Sequence, residues 1–228
     1  MKAASSSART RMRSKAPLAA AFAAAVAIAS PSAWALTSFV EGFESPSIGS
    51  DPYQTFGSGS SFNGWSVSGH SVDIVSNNWQ PTISAYQGTQ FVDLAGDLPG
   101  AISRQLQLDA GLYQLSFAYR GNTFDGAPAG DTYMAIVISG VGPEVPLLVS
   151  APASQHGWLT TTIDFTATEP VTLLSFSSLI AGQTGNGGML IDAVQITPVP
   201  EAHEWAMMLA GLGVIGTVAG RRRRLASA

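Results

Sequence analysis

Apolar and polar positions alternate with period two along the middle of the chain. In Leu112 to Arg120 the odd positions Tyr113, Leu115, Phe117 and Tyr119 are large and apolar, and the even ones are Gln114, Ser116, Ala118 and Arg120. That pattern is a strand with one buried face. Leu159 to Phe165 repeats it, with Leu159, Thr161, Ile163 and Phe165 facing in. Further strands are predicted over 39–44, 65–75, 90–94, 101–108, 132–139, 145–149, 171–177 and 189–196. Clusters of Gly, Pro, Asn and Asp separate them, as turns require. No long stretch follows a helical period, and no internal repeat is visible. The pattern predicts an all-β antiparallel β-sandwich over residues 36–198, with a closed barrel as the alternative.

Charge divides the chain into three parts. Residues 1–35 hold five basic residues and no acid; residues 36–200 hold Arg104, Arg120 and 13 acids; residues 201–228 hold four arginines and two acids. The chain has no cysteine, which excludes disulfides and cysteine metal sites. An acidic middle part speaks against nucleic acid as a partner. With 46% apolar residues the chain can supply a core, so it is not wholly disordered.

The N-terminal 35 residues read as a secretory signal peptide. A basic region (Arg9, Arg11, Arg13, Lys15) precedes an apolar run from Pro17 to Ala29 and an A-x-A site at Ala33-Trp34-Ala35. Cleavage is expected after Ala35. At the other end, Val199-Pro200-Glu201-Ala202-His203-Glu204 leads into an uncharged run of 16 residues, 205–220, and then Arg221, Arg222, Arg223 and Arg224. As a helix that run is about 24 Å long. The hydrocarbon core is ~30 Å, so a single transmembrane helix would span by thinning the bilayer. The arginines would hold its end in the cytoplasm and leave the domain outside. An ordinary tail anchor is the plainer alternative.

The order of these three elements resembles the PEP-CTERM sorting signal of Gram-negative bacteria, here residues 199–228, with Trp205 opening the helix and Ala202 where the motif has its second proline. The resemblance implies an exosortase as processing partner, transient anchoring in the inner membrane with the domain on the periplasmic side, and delivery to the cell surface. It also implies an organism that makes exopolysaccharide.

The middle part carries a second resemblance. Glu41-Gly42-Phe43-Glu44-Ser45-Pro46, Asn63-Gly64-Trp65-Ser66-Val67, Gly88 to Leu94, Gly100 to Leu106, Tyr113 to Asn122 and Met189 to Val194 follow one another as in galactose-binding-like jelly rolls. The set resembles bacterial choice-of-anchor proteins and the plant cell-wall jelly-roll proteins related to them. It implies a jelly roll associated with surface polysaccharide, without catalysis.

Catalytic motifs are missing: there is no G-x-S-x-G, H-E-x-x-H, Walker loop or G-x-G-x-x-G. His70 and His156 lie in loop-like settings and read as solvated. Asp192 is in phase with Leu190, Val194 and Ile196, which predicts a carboxylate on the apolar side of the last strand. Such a group needs a partner: Arg104, Arg120 or a calcium ion. A β-bulge that turns it to solvent is the other solution. The jelly-roll resemblance implies a structural calcium shared by Glu44 and Asp192. Trp79, in Asn77-Asn78-Trp79-Gln80-Pro81, is the candidate platform for stacking on a sugar ring, with Asn77, Asn78 and Gln80 as hydrogen-bonding neighbours. Trp65 and Trp158 read as core.

The sequence thus predicts an exported, non-catalytic, carbohydrate-binding surface protein. A structural surface or biofilm matrix protein with no defined ligand is the alternative. A cryptic glycosidase is a more distant one, since 13 acids could supply a spatial pair.

Overall fold

The computed structural model of the protein describes residues 37–79, 83–122, 132–140, 147–152, 156–179, 187–200, 206–213 and 215–217. The chain divides into two compact units, Met1–Ala35 and Leu36–Ala228, and every described residue lies in the second.

The described strands are β1 (Phe39–Glu41), β2 (Tyr53–Gly57), β3 (Ser61–Phe62), β4 (Trp65–Gly69), β5 (Ser71–Ser76), β6 (Gln90–Asp93), β7 (Gly100–Gln107), β8 (Gly111–Gly121), β9 (Thr132–Ser139), β10 (Leu147–Ala151), β11 (Leu159–Ala167), β12 (Val171–Leu179) and β13 (Met189–Pro198). They form two antiparallel sheets. The seven-stranded sheet runs β11-β8-β13-β6-β5-β2, with β1 also on β13; the six-stranded sheet runs β10-β9-β12-β7-β4-β3.

Period-two alternation fills the space between the sheets. Tyr113, Leu115 and Phe117 of β8, Met134 and Ile136 of β9, and Leu174 and Phe176 of β12 are buried in one core. Its centre is aromatic. Trp65 lies 5.9 Å from Phe43 and 6.1 Å from Phe176, and Phe176 lies 5.3 Å from Phe117, ring centroid to centroid. Tilted and edge-on rings at such distances add to their area burial. The core reading of Trp65 holds.

The predicted strand 65–75 is two strands. Gly69, at φ 76°, makes a corner after which the chain leaves the six-stranded sheet (β4) for the seven-stranded one (β5). The core-facing phase changes across the corner, from Trp65 and Val67 before it to Val72 and Ile74 after it. The first predicted strand, 39–44, ends at Glu41 because Phe43 takes φ 56° and cannot continue a ladder.

β13 is the organising strand. It pairs with β8 on one side; on the other it pairs with β6 at Leu190 and Ile191, then with β1 from Val194 to Ile196. The handover coincides with a register shift between Asp192 and Gln195, where Ala193 has φ 50°. Where the sequence predicts a spanning helix over 205–220, residues 206–213 and 215–217 are helical and exposed. Among the described residues no helix is long and apolar enough to cross a membrane.

Candidate functional site

The outward face of the seven-stranded sheet is unusual in what it buries. Register places Thr55 opposite Asp73, Asp73 opposite Asp93, Asp93 opposite Leu190 and Leu190 opposite Arg120. In a neighbouring row Tyr53 faces Val75, and Val75 faces Phe91. The alternate residues Val72, Ile74, Val92 and Ile191 belong to the main core, so these rows point away from it. Val75, Phe91, Leu190 and Ile83 form a second, smaller cluster, with Trp79, Ala85 and Trp158 packed on it. Trp158 is fixed by its indole N–H, which donates to the Ser84 carbonyl at 2.8 Å, and by an edge-on contact with Phe91 at 5.7 Å. Its core role is therefore in this outer cluster, not between the sheets.

Beside the cluster opens a cavity of about 120 Å³ lined by Tyr53, Asp73, Val75, Trp79, Asp93, Gly96 and Asp97. Two aromatic rings and three carboxyl groups share one small space. Asp93 is only 4% exposed. Its carboxylate accepts from Ala95 N–H at 2.9 Å and from the Asn122 amide at 2.8 Å. Burial still pushes its pKa well above the usual carboxylate range, and the charge of Asp73 adds to that. Burial raises the Asp73 carboxyl too; a Thr55 hydrogen bond opposes this and Asp97 reinforces it. Asp73 Oδ1 is buried without a hydrogen-bond partner.

A second arrangement lies where β1, β6 and β13 meet. Glu44 accepts from Thr89 N–H at 2.8 Å, from the Thr89 hydroxyl at 2.7 Å and from Gln90 N–H at 2.9 Å. Gly88, at φ 73°, permits this grip: a Cβ there would stand 2.3 Å from Glu44 Oε1. Gln90 ties down the same segment, donating to the carbonyls of Phe43 at 2.7 Å and Pro46 at 3.0 Å.

Asp192 corrects the phase argument made from sequence. It is fully buried, yet it shares a face with Leu190 of the outer cluster, while Val194 and Ile196 lie in the main core. The bulge after Asp192 reverses the alternation, so neither a core-facing nor a solvated carboxylate results. The loop before β6 covers it: Gln87 N–H donates at 2.9 Å and Tyr86 N–H also helps hold the charged form, while Ala193 N–H, next along β13, donates at 2.6 Å. Burial nevertheless raises its pKa to about 6, with repulsion from Glu44 contributing. The two carboxylates named from sequence are thus brought within electrostatic reach. Arg104, one of the cations considered for Asp192, instead pairs with Glu41 at 3.2 Å.

The other residues singled out are less concentrated. Asn77 Oδ1 accepts from Ala85 N–H at 2.7 Å and braces the loop, and Asn78 N–H donates to Ser76 Oγ at 3.2 Å. Neither lines the cavity that Trp79 borders. Gln80, Ala33, Ala35, Glu201, Trp205 and Arg221 to Arg224 lie outside the described residues. Val199 N–H donates to the Leu112 carbonyl at 2.8 Å, and Pro200 ends the described segment.

Residues 39–197 match the family described as "Protein of unknown function (DUF642)". The chain belongs to the DUF642 family. Halomucin of Haloquadratum walsbyi is 34% identical over 137 residues, which cover 58% of this chain and 1% of that protein's length. Among solved structures, TmCBM61 in complex with beta-1,4-galactotriose aligns with 60% of this chain and 90% of its own, at 23% identity and a TM-score of 0.47. The CBM22-1 xylan-binding domain from Paenibacillus barcinonensis Xyn10C aligns with 72% of this chain and 95% of its own, at 16% identity and a TM-score of 0.45.

The acidic pocket of this DUF642 domain is absent from the sequence prediction. Its residues come from β2, β5, β6 and two loops, and pairing register brings the strand residues together. One signal was available. Val72-Asp73-Ile74, Val92-Asp93-Leu94 and Ile191-Asp192-Ala193 each set an aspartate between apolar residues, and all three aspartates reach the outward face.

Proposed function

We propose that the domain is a non-catalytic carbohydrate-binding module of an exported protein, with its ligand seated in the pocket between Tyr53, Trp79 and the carboxyl groups of Asp73, Asp93 and Asp97. The pocket carries this reading. Aromatic faces suit the apolar side of a pyranose ring, and carboxylate oxygens accept from its hydroxyls. A cavity of about 120 Å³ is small beside the roughly 300–1,000 Å³ that hold drug-sized ligands, which suits one sugar unit of a longer chain. The test is a glycan array probed with the protein in the presence of calcium. Specific binding, reversed by free oligosaccharide that is recovered intact, supports the reading; no binding to any glycan, soluble or immobilised, overturns it.

The glycosidase alternative gains one observation. The raised carboxyls of Asp73 and Asp93 stand on adjacent strands, the arrangement in which one acid holds a proton while another is charged. Hydrolysis of a bound oligosaccharide, lost in Asp93→Asn, would establish it over the binding reading.

The same proposal extends to a calcium ion held by Glu44 and Asp192. Repulsion between them contributes to the raised Asp192 carboxyl, which a divalent cation would relieve. Two carboxylates supply part of the six to eight oxygens that calcium takes, and backbone carbonyls and water complete such sets. The ion would supply charge neutralisation and pin the 86–90 loop to β13. Because Asp192 must ionise to ligate, calcium affinity is expected to fall as pH drops below about 6. Without calcium the sign is opposite. Between the ordinary value of 3.8 and about 6 the folded chain binds more protons than the unfolded one, so this group makes stability decline as pH rises through that window. Thermal melts with calcium or chelator, one pH unit either side of the upper value, check both signs.

The tail belongs to the proposal as an address. Met207, Leu209 and Ile215 are each more than 60% exposed on the described helical residues, an apolar surface suited to a bilayer or a membrane enzyme. With Val199-Pro200-Glu201 before it and Arg221 to Arg224 after it, this supports sorting by an exosortase through the inner membrane to the cell surface.

A further inference from the structure

We infer that the pocket selects a glycan unit bearing a free, positively charged amine, an inference that rests on the carbohydrate reading of the same site. Three acidic residues line one cavity: Asp97 exposed, Asp73 half-buried and Asp93 buried. Asp73 and Asp93 are direct cross-strand neighbours, a destabilising arrangement for like charges.

The groups around the pair relieve this with neutral donors. Thr55 bonds Asp73, and Ala95 N–H and the Asn122 amide bond Asp93. Asp73 Oδ1 is left buried with no donor, on a residue that lines the cavity. A buried acceptor in that state is unfavourable, and a donor brought by a ligand would relieve it.

Charge distinguishes the two kinds of donor. Residues 36–200 contain no lysine and two arginines. Arg104 is engaged with Glu41, and Arg120 stands at the far end of the transverse row, its guanidinium 6.0 Å from the Trp158 ring centroid. A hydroxyl would fill the hydrogen-bond vacancy and leave the carboxylate repulsion in place. An ammonium does both, and the aromatic residues Tyr53 and Trp79 line the same cavity. The surrounding domain, with 13 acids against two arginines, draws cations toward the site at low salt. The ligand class is therefore an amino sugar with its nitrogen unacylated, within or at the end of a polysaccharide.

Calorimetric titration of the calcium-loaded protein with matched hexamers, one of glucosamine and one of N-acetylglucosamine, tests the inference at mildly acidic pH. The free-amine hexamer is expected to bind at least ten-fold more tightly, with an advantage that shrinks as salt rises. Asp73→Asn should remove that advantage. Asp97→Asn, at an exposed position that does not endanger folding, should reduce it. Equal binding of the two hexamers overturns the inference and leaves the carbohydrate reading standing. Binding of neither, with no other glycan held at the site, overturns both. Equal binding of a lysine oligomer shows an unselective cation site and also overturns the inference.

Discussion

Glu41→Ala is expected to lower the melting temperature by about 10 °C. Glu41 is buried at the end of β1, where its carboxylate accepts from Phe43 N–H at 2.9 Å, the Asn63 amide at 2.8 Å, the Trp65 indole at 3.2 Å and Arg104 at 3.2 Å. Alanine orphans four donors at once and leaves a cavity beside the central tryptophan. Removing one partner of a buried ion pair costs about 3–5 kcal/mol, and in a domain of this size each kcal/mol lowers the melting temperature by about 2–4 °C. Arg104→Ala should cost distinctly less. Its side chain is 25% exposed, and Glu41 keeps its other three donors. Calorimetric melts of both variants check the order; equal losses would mean that the ion pair, not the set of buried donors, dominates.

Trp79→Ala is expected to weaken binding of whichever glycan the protein holds by roughly thirty-fold. That corresponds to about 2 kcal/mol, the scale of a buried aromatic anchor. Trp79 borders the cavity and also packs on the outer cluster, so the alanine variant loses contact with both. Trp79→Phe separates the two roles: phenylalanine keeps an apolar ring on the cluster and most of the stacking face. Substantial rescue by phenylalanine, with alanine still folded by its melt, identifies a binding contribution. If alanine binds as tightly as the natural protein, Trp79 is a loop cover and the ligand lies elsewhere.

Most strands of the interior were legible because they alternate a dry face with a wetter one. Tyr113, Leu115 and Phe117 could be assigned inward from sequence because alternation across a sandwich leaves them no other place. β2 was missed for the opposite reason. Tyr53–Gly57 is a mostly exposed edge strand, so no apolar period marks it. Asp192 was placed on the wrong face because its bulge leaves no trace in the residues; Ala193, the residue at φ 50°, has nothing in its side chain to announce that conformation. The pairing of Glu44 with Asp192 was reachable only through a family resemblance, since they lie at opposite ends of the domain sequence. Trp79 was identified by composition, but the carboxyl groups beside it were not. Asp73 and Asp93 become neighbours through strand register, which a single sequence does not specify.

The central claim is that a sugar sits on the outward face of the seven-stranded sheet, between Tyr53 and Trp79. Indole ¹⁵N–¹H resonances during a glycan titration test it most directly, because the chain has five tryptophans, one of which borders the pocket. The account predicts that the Trp79 signal shifts saturably with bound glycan while that of Trp65, sealed between the sheets and bonded to Glu41, stays in place. A stationary Trp79 signal under saturating glycan would contradict it.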